Sequence, residues 1–399
     1  MSETLFDPLY LPCGVTLKNR LIKSAMSDSL GDGTGHPSQE QINLYQSWAL
    51  GGAALSIVGE VQCTSGFAEK PGNLVLNDAS DLDRFRQLAQ GGQRNGCLMM
   101  LQLGHAGALS YAPTSDPKGP SALDLPELTC KELTLDEIHA LPQEFARTAA
   151  LAKEAGFGGV QVHAAHGFLL SQFLSPLFNH REDDFGGAVE NRMRLLLQVI
   201  DAVRTAVGPR FVIAVKLNSS DQLEGGLSEE DALEVVKALD QTTVDLIDVS
   251  GGTYFPGAKS ASDSAGGGPY FLSFAKRARM MTRKPLMLTG GFKTLQQAKH
   301  ALADDAVDAI GLARALVLEP RLPDLWRNDV CPEPQFPRFS QAPEGGITAW
   351  YTMQLTRIGE GSAPFDATDL GDAIKAYEER DALRTKIWLE HFKTVFKSV

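Results

Sequence analysis

GVQVHAAHGFLLSQFLSPLFNHREDDFGGAVENRMRLLLQVIDAVRTAVGPRFVIAVKLN, residues 159–218, decides the fold, because it holds one strand, the crossover after it and the next strand. Its opening, GVQVHA (Gly159–Ala164), is a short and mostly apolar run, and so is FVIAVKLN (Phe211–Asn218) at its far end. Between them, Met193, Leu196, Leu197, Ile200, Val203 and Val207 recur at helical spacing within Arg192 to Val207. Gly208 stands where that helix needs a C-cap, just before the second run. Two nearly continuous apolar runs joined by an amphipathic helix read as parallel strands of a sheet covered on both faces.

Outward from this unit the pattern repeats. Apolar runs recur at Leu21–Ser27 (LIKSAMS), Ala54–Val61 (ALSIVGEV), Cys97–Leu103 (CLMMLQL), Leu246–Ser250 (LIDVS), Pro285–Thr289 (PLMLT) and Ala309–Arg314 (AIGLAR). With the first two they give eight strands, each followed by helical or loop material. The expected fold is therefore α/β, a (β/α)8 TIM barrel in a single domain with a C-terminal helical extension. A doubly wound open sheet is the alternative, since periodicity alone does not show closure; the lack of a GxGxxG after the first strand weighs against it. Ser228 with Asp231, and Thr134 with Glu137, are spaced as capping boxes, and Gly96 and Gly156 as further C-caps. Pro142 is expected to end the first turn of the helix through Ile138–Ala155. The Pro-, Gly- and Ser-rich stretch Tyr111 to Pro126 reads as a long loop. The barrel is expected over 1–320. An extension over 321–399, carrying CPEPQFPRFSQAP (331–343) and a helix from Asp369 to Lys397, is expected to pack on the barrel or on a neighbouring subunit.

Composition narrows the function classes. The chain has 399 residues, 43% hydrophobic and 22% charged, which is globular and excludes wholesale disorder. A net charge of −12 argues against a nucleic-acid-binding role. The longest uncharged apolar stretch, around Ala49 to Gly59, falls well short of the roughly 20 residues a membrane span requires. The opening MSETLFDPLYLP lacks a basic n-region and an apolar h-region, so a cytoplasmic protein is expected, with no membrane association and a small molecule as partner. The five cysteines show no CxxC spacing, so neither a disulfide framework nor a metal site is expected.

In a barrel the site forms at the C-terminal ends of the strands. Those ends carry Ser24-Ala25-Met26-Ser27, then Gln102 and His105, His163 and His166, Lys216 and Asn218, Ser250, Gly290-Gly291, and Ala313-Arg314. The glycine pair and Arg314 suit an anion such as phosphate. His163 and His166 could bind a metal, act as acid and base, or donate hydrogen bonds to an oxygen gathering negative charge; no third ligand recurs nearby at metal spacing. Lys216 could form a Schiff base with a phosphorylated sugar, stand against an electron-rich cofactor edge, or make a structural ion pair.

Several motifs together resemble the old yellow enzyme family of FMN-dependent NAD(P)H ene-reductases, the NADH:flavin oxidoreductases. They are LKNRLIKSAM (17–26), LQLGHAG (101–107), AGFGGVQVHAAHGFLLSQFLSPLFNHREDDFGG (155–187), ENR (190–192), AVKLNSSD (214–221), LTGG (288–291) and GLAR (311–314), in the family's order. The resemblance implies FMN as bound cofactor, NADH or NADPH as co-substrate, and a homo-oligomer. It implies that Ser24, Ala25, Met26, Ser27, Gly59 and Gln102 line the flavin ring, with Lys216 at its N1/C2 edge. Gly290, Gly291, Ala313 and Arg314 would hold the phosphate. His163, which also borders the cofactor, and His166 would hold the substrate's carbonyl or nitro oxygen. The implied reaction is ping-pong hydride transfer from NAD(P)H through FMN N5 to an electron-poor alkene. Phe168 and Tyr254 would line the substrate pocket, and Phe168 stands where the family usually carries the Tyr that protonates the α-carbon. Because Phe cannot donate that proton, a flavoprotein with little ene-reductase activity, a redox sensor or a reductase of another acceptor, is the alternative, ahead of a phosphosugar lyase using Lys216.

Overall fold

The computed structural model describes residues 4–255, 258, 268–339, 342–343 and 345–393. Each apolar run forms a strand: β1 (Leu21–Lys23), β2 (Leu55–Gln62), β3 (Leu98–Gly104), β4 (Gly159–Ala164), β5 (Val212–Asn218), β6 (Leu246–Ser250), β7 (Leu286–Thr289) and β8 (Ala309–Leu312). All pair in parallel with their neighbours, and β8 pairs with β1, so the sheet closes. A helix follows each strand: α1 (Gln39–Leu50), α2 (Leu82–Gly92), α3 (Leu135–Glu154), α4 (Arg194–Val207), α5 (Glu229–Asp240), α6 (Leu272–Arg279), α7 (Leu295–Ala303) and α8 (Arg314–Leu318). This is a (β/α)8 barrel. Most of the helical stripe read in α4 is buried: Leu196, Ile200, Val203 and Val207 pack inward, together with Leu195 and Val199, which the stripe left out, while Leu197 is only half-buried. Each buried residue contributes about 1.5–3 kcal/mol before entropy is counted.

The structure departs from the sequence expectations at four places. The first run ends as a strand at Lys23: the Ser24 N–H still donates to the Leu312 carbonyl at 2.9 Å, and residues 24–27 then continue outside any strand, past Gly59. Gly59 permits that path: a Cβ there would lie 2.2 Å from the Met26 carbonyl oxygen. Pro142 does not end a turn; α3 runs unbroken through it. The ring costs one backbone bond. The Thr134–Glu137 capping box and the buried Ile138, Leu141, Phe145, Ala146 and Ala149 hold the helix on either side.

The expected loop after β3 contains strand segments. Lys118–Gly119 pairs parallel with 131–132, and Leu123–Leu125 folds back on 128–130 as a hairpin turned at Pro126-Glu127. Finally, the extension holds the short helix Leu322–Arg327 and two long helices rather than one, α9 (Gly346–Glu360) and α10 (Leu370–His391); the 394–397 end of the expected helix lies outside the described residues. On this chain α9 lies along α1, with Asn43 Nδ2 donating to the Gly359 carbonyl at 3.0 Å. The fully buried Trp388 of α10 packs on Ala68 and Val75 beyond β2. Among the described residues no helix is long and apolar enough to cross a membrane.

Candidate active site

Alternate residues of each strand face the barrel axis. At the C-terminal end this brings His163, Lys216, Asn218 and Ser250 onto neighbouring strands, with His163 and Lys216 in register. His163 is buried, and its Nδ1 accepts from the Ala165 N–H at 3.3 Å, which leaves the ring proton on Nε2. His166 sits just past the strand with φ of 61°, a left-handed conformation for a non-glycine residue. Hydrogen bonds at its N–H, its carbonyl and its ring hold it there. Its N–H donates to Asn218 Oδ1 at 3.1 Å, its carbonyl accepts from the Tyr254 N–H at 3.0 Å, and its Nε2 lies 2.9 Å from Ser250 Oγ. With the Ser250 hydroxyl donating to Nε2, the Nδ1 of His166 carries the proton and can donate in turn.

The two imidazole rings lie 5.3 Å apart, edge to face. Both are neutral at physiological pH. Burial, then the neighbouring His166 and Lys216, push His163 well below the usual imidazole range, and burial followed by Lys216 takes His166 down to about 3. Two neutral donors next to a cation suit an oxygen acquiring negative charge. Phe168 packs on His163 at 4.8 Å between ring centroids, and Tyr254 spans His166 and Phe168 at 5.8 and 5.9 Å. Tyr254 is 60% exposed, so this wall of the pocket opens to solvent. Of the other loop aromatics, Phe255 instead stacks on Phe178, and Tyr111 is bound to the loop after β2 through the Ala68 carbonyl.

A cavity of about 1010 Å³ adjoins β7 and β8 and is lined by Gly290, Gly291, Gly311, Ala313 and Arg314. These residues of two separate motifs, LTGG and GLAR, therefore meet. Gly290 and Gly291 have φ of 122° and 84°, which leaves their peptides free of side chains beside the cavity. The extension closes the outer side through Phe336, Arg338 and Tyr351; Arg314 lies over the Tyr351 ring at 5.6 Å. A glycine-lined anion end, an arginine and buried polar side chains toward the axis form a cradle that fits a phosphorylated ring cofactor. Of the remaining expected contacts, Ser24 and Gln102 point to the axis and share the hydrogen-bond network of Lys216. Ala25 packs on the apolar cluster containing Ile22 and Met287, and Met26 and Ser27 run past Gly59.

Sequence reasoning missed Asp248, Gln161 and Thr289. Lys216 makes an ion pair with Asp248 at 2.7 Å, and Gln161 and Thr289 also bind that carboxylate. The signal was a polar residue at the inward-facing register of each of the runs LIDVS, GVQVHA and PLMLT, in the first two a second one two residues before the polar strand end already singled out.

Residues 4–329 match the family model described as the NADH:flavin oxidoreductase / NADH oxidase family. The chain is 35% identical to an NADH-dependent flavin oxidoreductase of Neonectria sp., over 79% of this chain and 46% of that protein, so it spans about half the length of that relative. It is also 35% identical to an NADPH dehydrogenase of Geobacillus thermodenitrificans, over 81% of this chain and 93% of the other. Among solved structures, the old yellow enzyme homologue from Zymomonas mobilis superposes with a TM-score of 0.73 at 25% identity, covering 88% of this chain and 99% of that one.

Proposed function

The chain belongs to the NADH:flavin oxidoreductase / NADH oxidase family, the old yellow enzyme family, and on that premise we propose that it reduces electron-poor alkenes. Its cofactors are FMN and NADH or NADPH. Bound FMN would supply the hydride chemistry that links the nicotinamide to the alkene's β-carbon. In this assignment Gly290, Gly291, Ala313 and Arg314 hold the cofactor phosphate. Ser24 to Ser27, Gly59, Gln102 and Lys216 surround its ring.

The observation that carries the proposal is the pair of neutral imidazoles at the end of β4, each with one ring nitrogen engaged, His163 Nδ1 by the Ala165 N–H and His166 Nε2 with the Ser250 hydroxyl, which leaves the other nitrogen for a ligand. Hydride addition to the β-carbon of an enone drives an electron pair onto the carbonyl oxygen. His163 Nε2–H and His166 Nδ1–H meet that oxygen as donors already in place, and one such donor lowers the barrier by about 3 kcal/mol. Their neutrality matters: a donor held neutral stays a hydrogen-bond partner across the physiological range and does not hand its proton to the oxygen prematurely. The α-carbon then needs a proton. Phe168 has none to give, so water entering past the exposed edge of Tyr254 supplies it. Phe168 also favours a second function, that of a flavoprotein reduced by NAD(P)H but slow with alkenes.

One anaerobic experiment separates the two. The purified protein is titrated with NADPH while its visible spectrum is followed, and cyclohexenone is then added. Bleaching followed by recovery of the flavin band is the expected result. Bleaching without recovery would overturn alkene reduction and leave the nicotinamide half-reaction. Absence of a flavin band, even after adding FMN, would overturn both.

A further inference from the structure

Asp248 in the middle of β6 is fully buried, and a carboxylate there requires partners for its lone pairs. It has three. Oδ2 accepts from the Lys216 ammonium at 2.7 Å and from Gln161 Nε2 at 3.0 Å, and Oδ1 accepts from the Thr289 hydroxyl at 2.6 Å. Two of these partners continue. Gln161 gives its amide nitrogen to Asp248, so its Oε1 accepts from Gln102 Nε2 at 2.8 Å. Thr289 has committed its only hydroxyl proton to Asp248, so Ser24 is the donor in the 2.9 Å bond between the two hydroxyls. Gly311 on β8 leaves the space for that bond: a Cβ there would lie 2.2 Å from Thr289 Oγ1 and 2.5 Å from Ser24 Oγ.

The network thus joins β3, β4, β5, β6, β7 and the segment after β1, and every bond in it points toward one carboxylate. An ionised carboxylate only accepts, so its place at the root fixes the sense of each limb. Gln102 is left with its Oε1 unengaged in the network, and Ser24 with oxygen lone pairs. An amide at position 248 would donate from one end, and a limb could reverse. Asp248 also sets the net charge of the layer, because it stands one strand from Lys216.

We propose that Asp248 is a positioning residue that sets the reduction potential of the bound FMN, on the cofactor placement proposed above, through the Lys216 ion pair and the donor sense it imposes on Gln102 and Ser24. Reduction adds negative charge to the flavin, which Lys216 favours and Asp248 opposes. Removing the carboxylate then favours the reduced form, removing the ammonium favours the oxidised form, and removing both nearly cancels. A purely structural role does not move the two single variants in opposite directions.

The test is an anaerobic redox titration of the FMN-loaded wild type, Asp248→Asn, Lys216→Met and the double variant, read by visible absorbance. The expected result is at least a tenfold change in the reduced-to-oxidised ratio at fixed potential, about 30 mV for a two-electron couple. It is upward in Asp248→Asn and downward in Lys216→Met, with the double variant between them. The proposal is overturned when Asp248→Asn titrates with the wild type, or when both single variants move the same way. Should Asp248→Asn fail to fold, comparing the double variant with Lys216→Met carries the same test, since the double variant buries no unpaired charge; equal potentials there overturn it. Because no alkene enters the measurement, failure to turn over cyclohexenone would count against the proposed function alone.

Discussion

The two ends of the barrel are built from the same eight strands and obey different rules. Along β5 the inward positions read Val212, Ala214, Lys216, Asn218; along β6 they read Leu246, Asp248, Ser250. Toward the N-terminal end, Ile22, Leu55, Ile57, Met100, Val212, Ala214, Leu246, Met287 and Ala309 form an apolar plug with no ionisable group. At the C-terminal end, the same strands and the residues just past them carry an ion pair, two glutamines, three hydroxyls and two neutral histidines. One end supplies stability through packing, and the other gathers the buried polar groups proposed above to surround the cofactor and substrate.

Mutations and pH should separate the ends. Leu246→Ala opens a cavity in the plug and should cost about 2–5 kcal/mol in urea unfolding, with the turnover of the folded fraction unchanged; a selective loss of turnover at full stability would erase the distinction. Acid should act on the upper end alone. Burial, the first cause in each case, holds His105 and His166 down to about 3 in the folded protein, against 6.5 for an ordinary imidazole. Unfolding therefore takes up protons below pH 6.5. The stability these neutral rings provide is complete above 6.5 and is lost as pH falls from there toward 3, by about 1.4 kcal/mol per ring per pH unit. Melting temperatures measured from pH 7 to 5 should fall, and less steeply in His105→Asn.

At the cavity beside β7 and β8, proposed to take the cofactor phosphate, Arg314→Ala should weaken FMN binding by about 1.5–3 kcal/mol, roughly tenfold to a hundredfold, as expected for a lost charged hydrogen bond. Flavin fluorescence on dilution reads this directly, and unchanged affinity would remove Arg314 from the cofactor site. The smallest expected effect is Phe168→Tyr. It places a hydroxyl on the ring that packs against His163, and should speed flavin reoxidation by an enone about tenfold, or ~1.4 kcal/mol. An unchanged rate would mean that protonation by water is not limiting.

How much of this was legible follows from the same contrast. The eight strands showed as apolar runs because a sheet covered on both faces has little choice of residue. The histidine pair, Lys216 and the Gly290-Gly291 and Arg314 groups stood out as polar residues at strand ends. Asp248, Gln161 and Thr289 did not, since each sits in a mostly apolar run and acquires meaning only when closure sets five strands and the segment after β1 around one axis. The segments at 118–132 and helix α9 were missed for the opposite reason. Their own residues signal weakly: the 118–132 segments pair only with one another in very short strands, and α9 is held by the distant α1. Pro142 misled because its local rule was outweighed by the buried face of α3.

The most direct test of the account is rapid mixing of NADPH-reduced wild type and His163→Ala with cyclohexenone under anaerobic conditions, following the return of the flavin band. The account predicts rapid return in the wild type and a rate about a hundredfold lower in the variant, the loss expected when one preorganised donor is removed, while reduction by NADPH changes far less. Equal rates of return in the two proteins would contradict it.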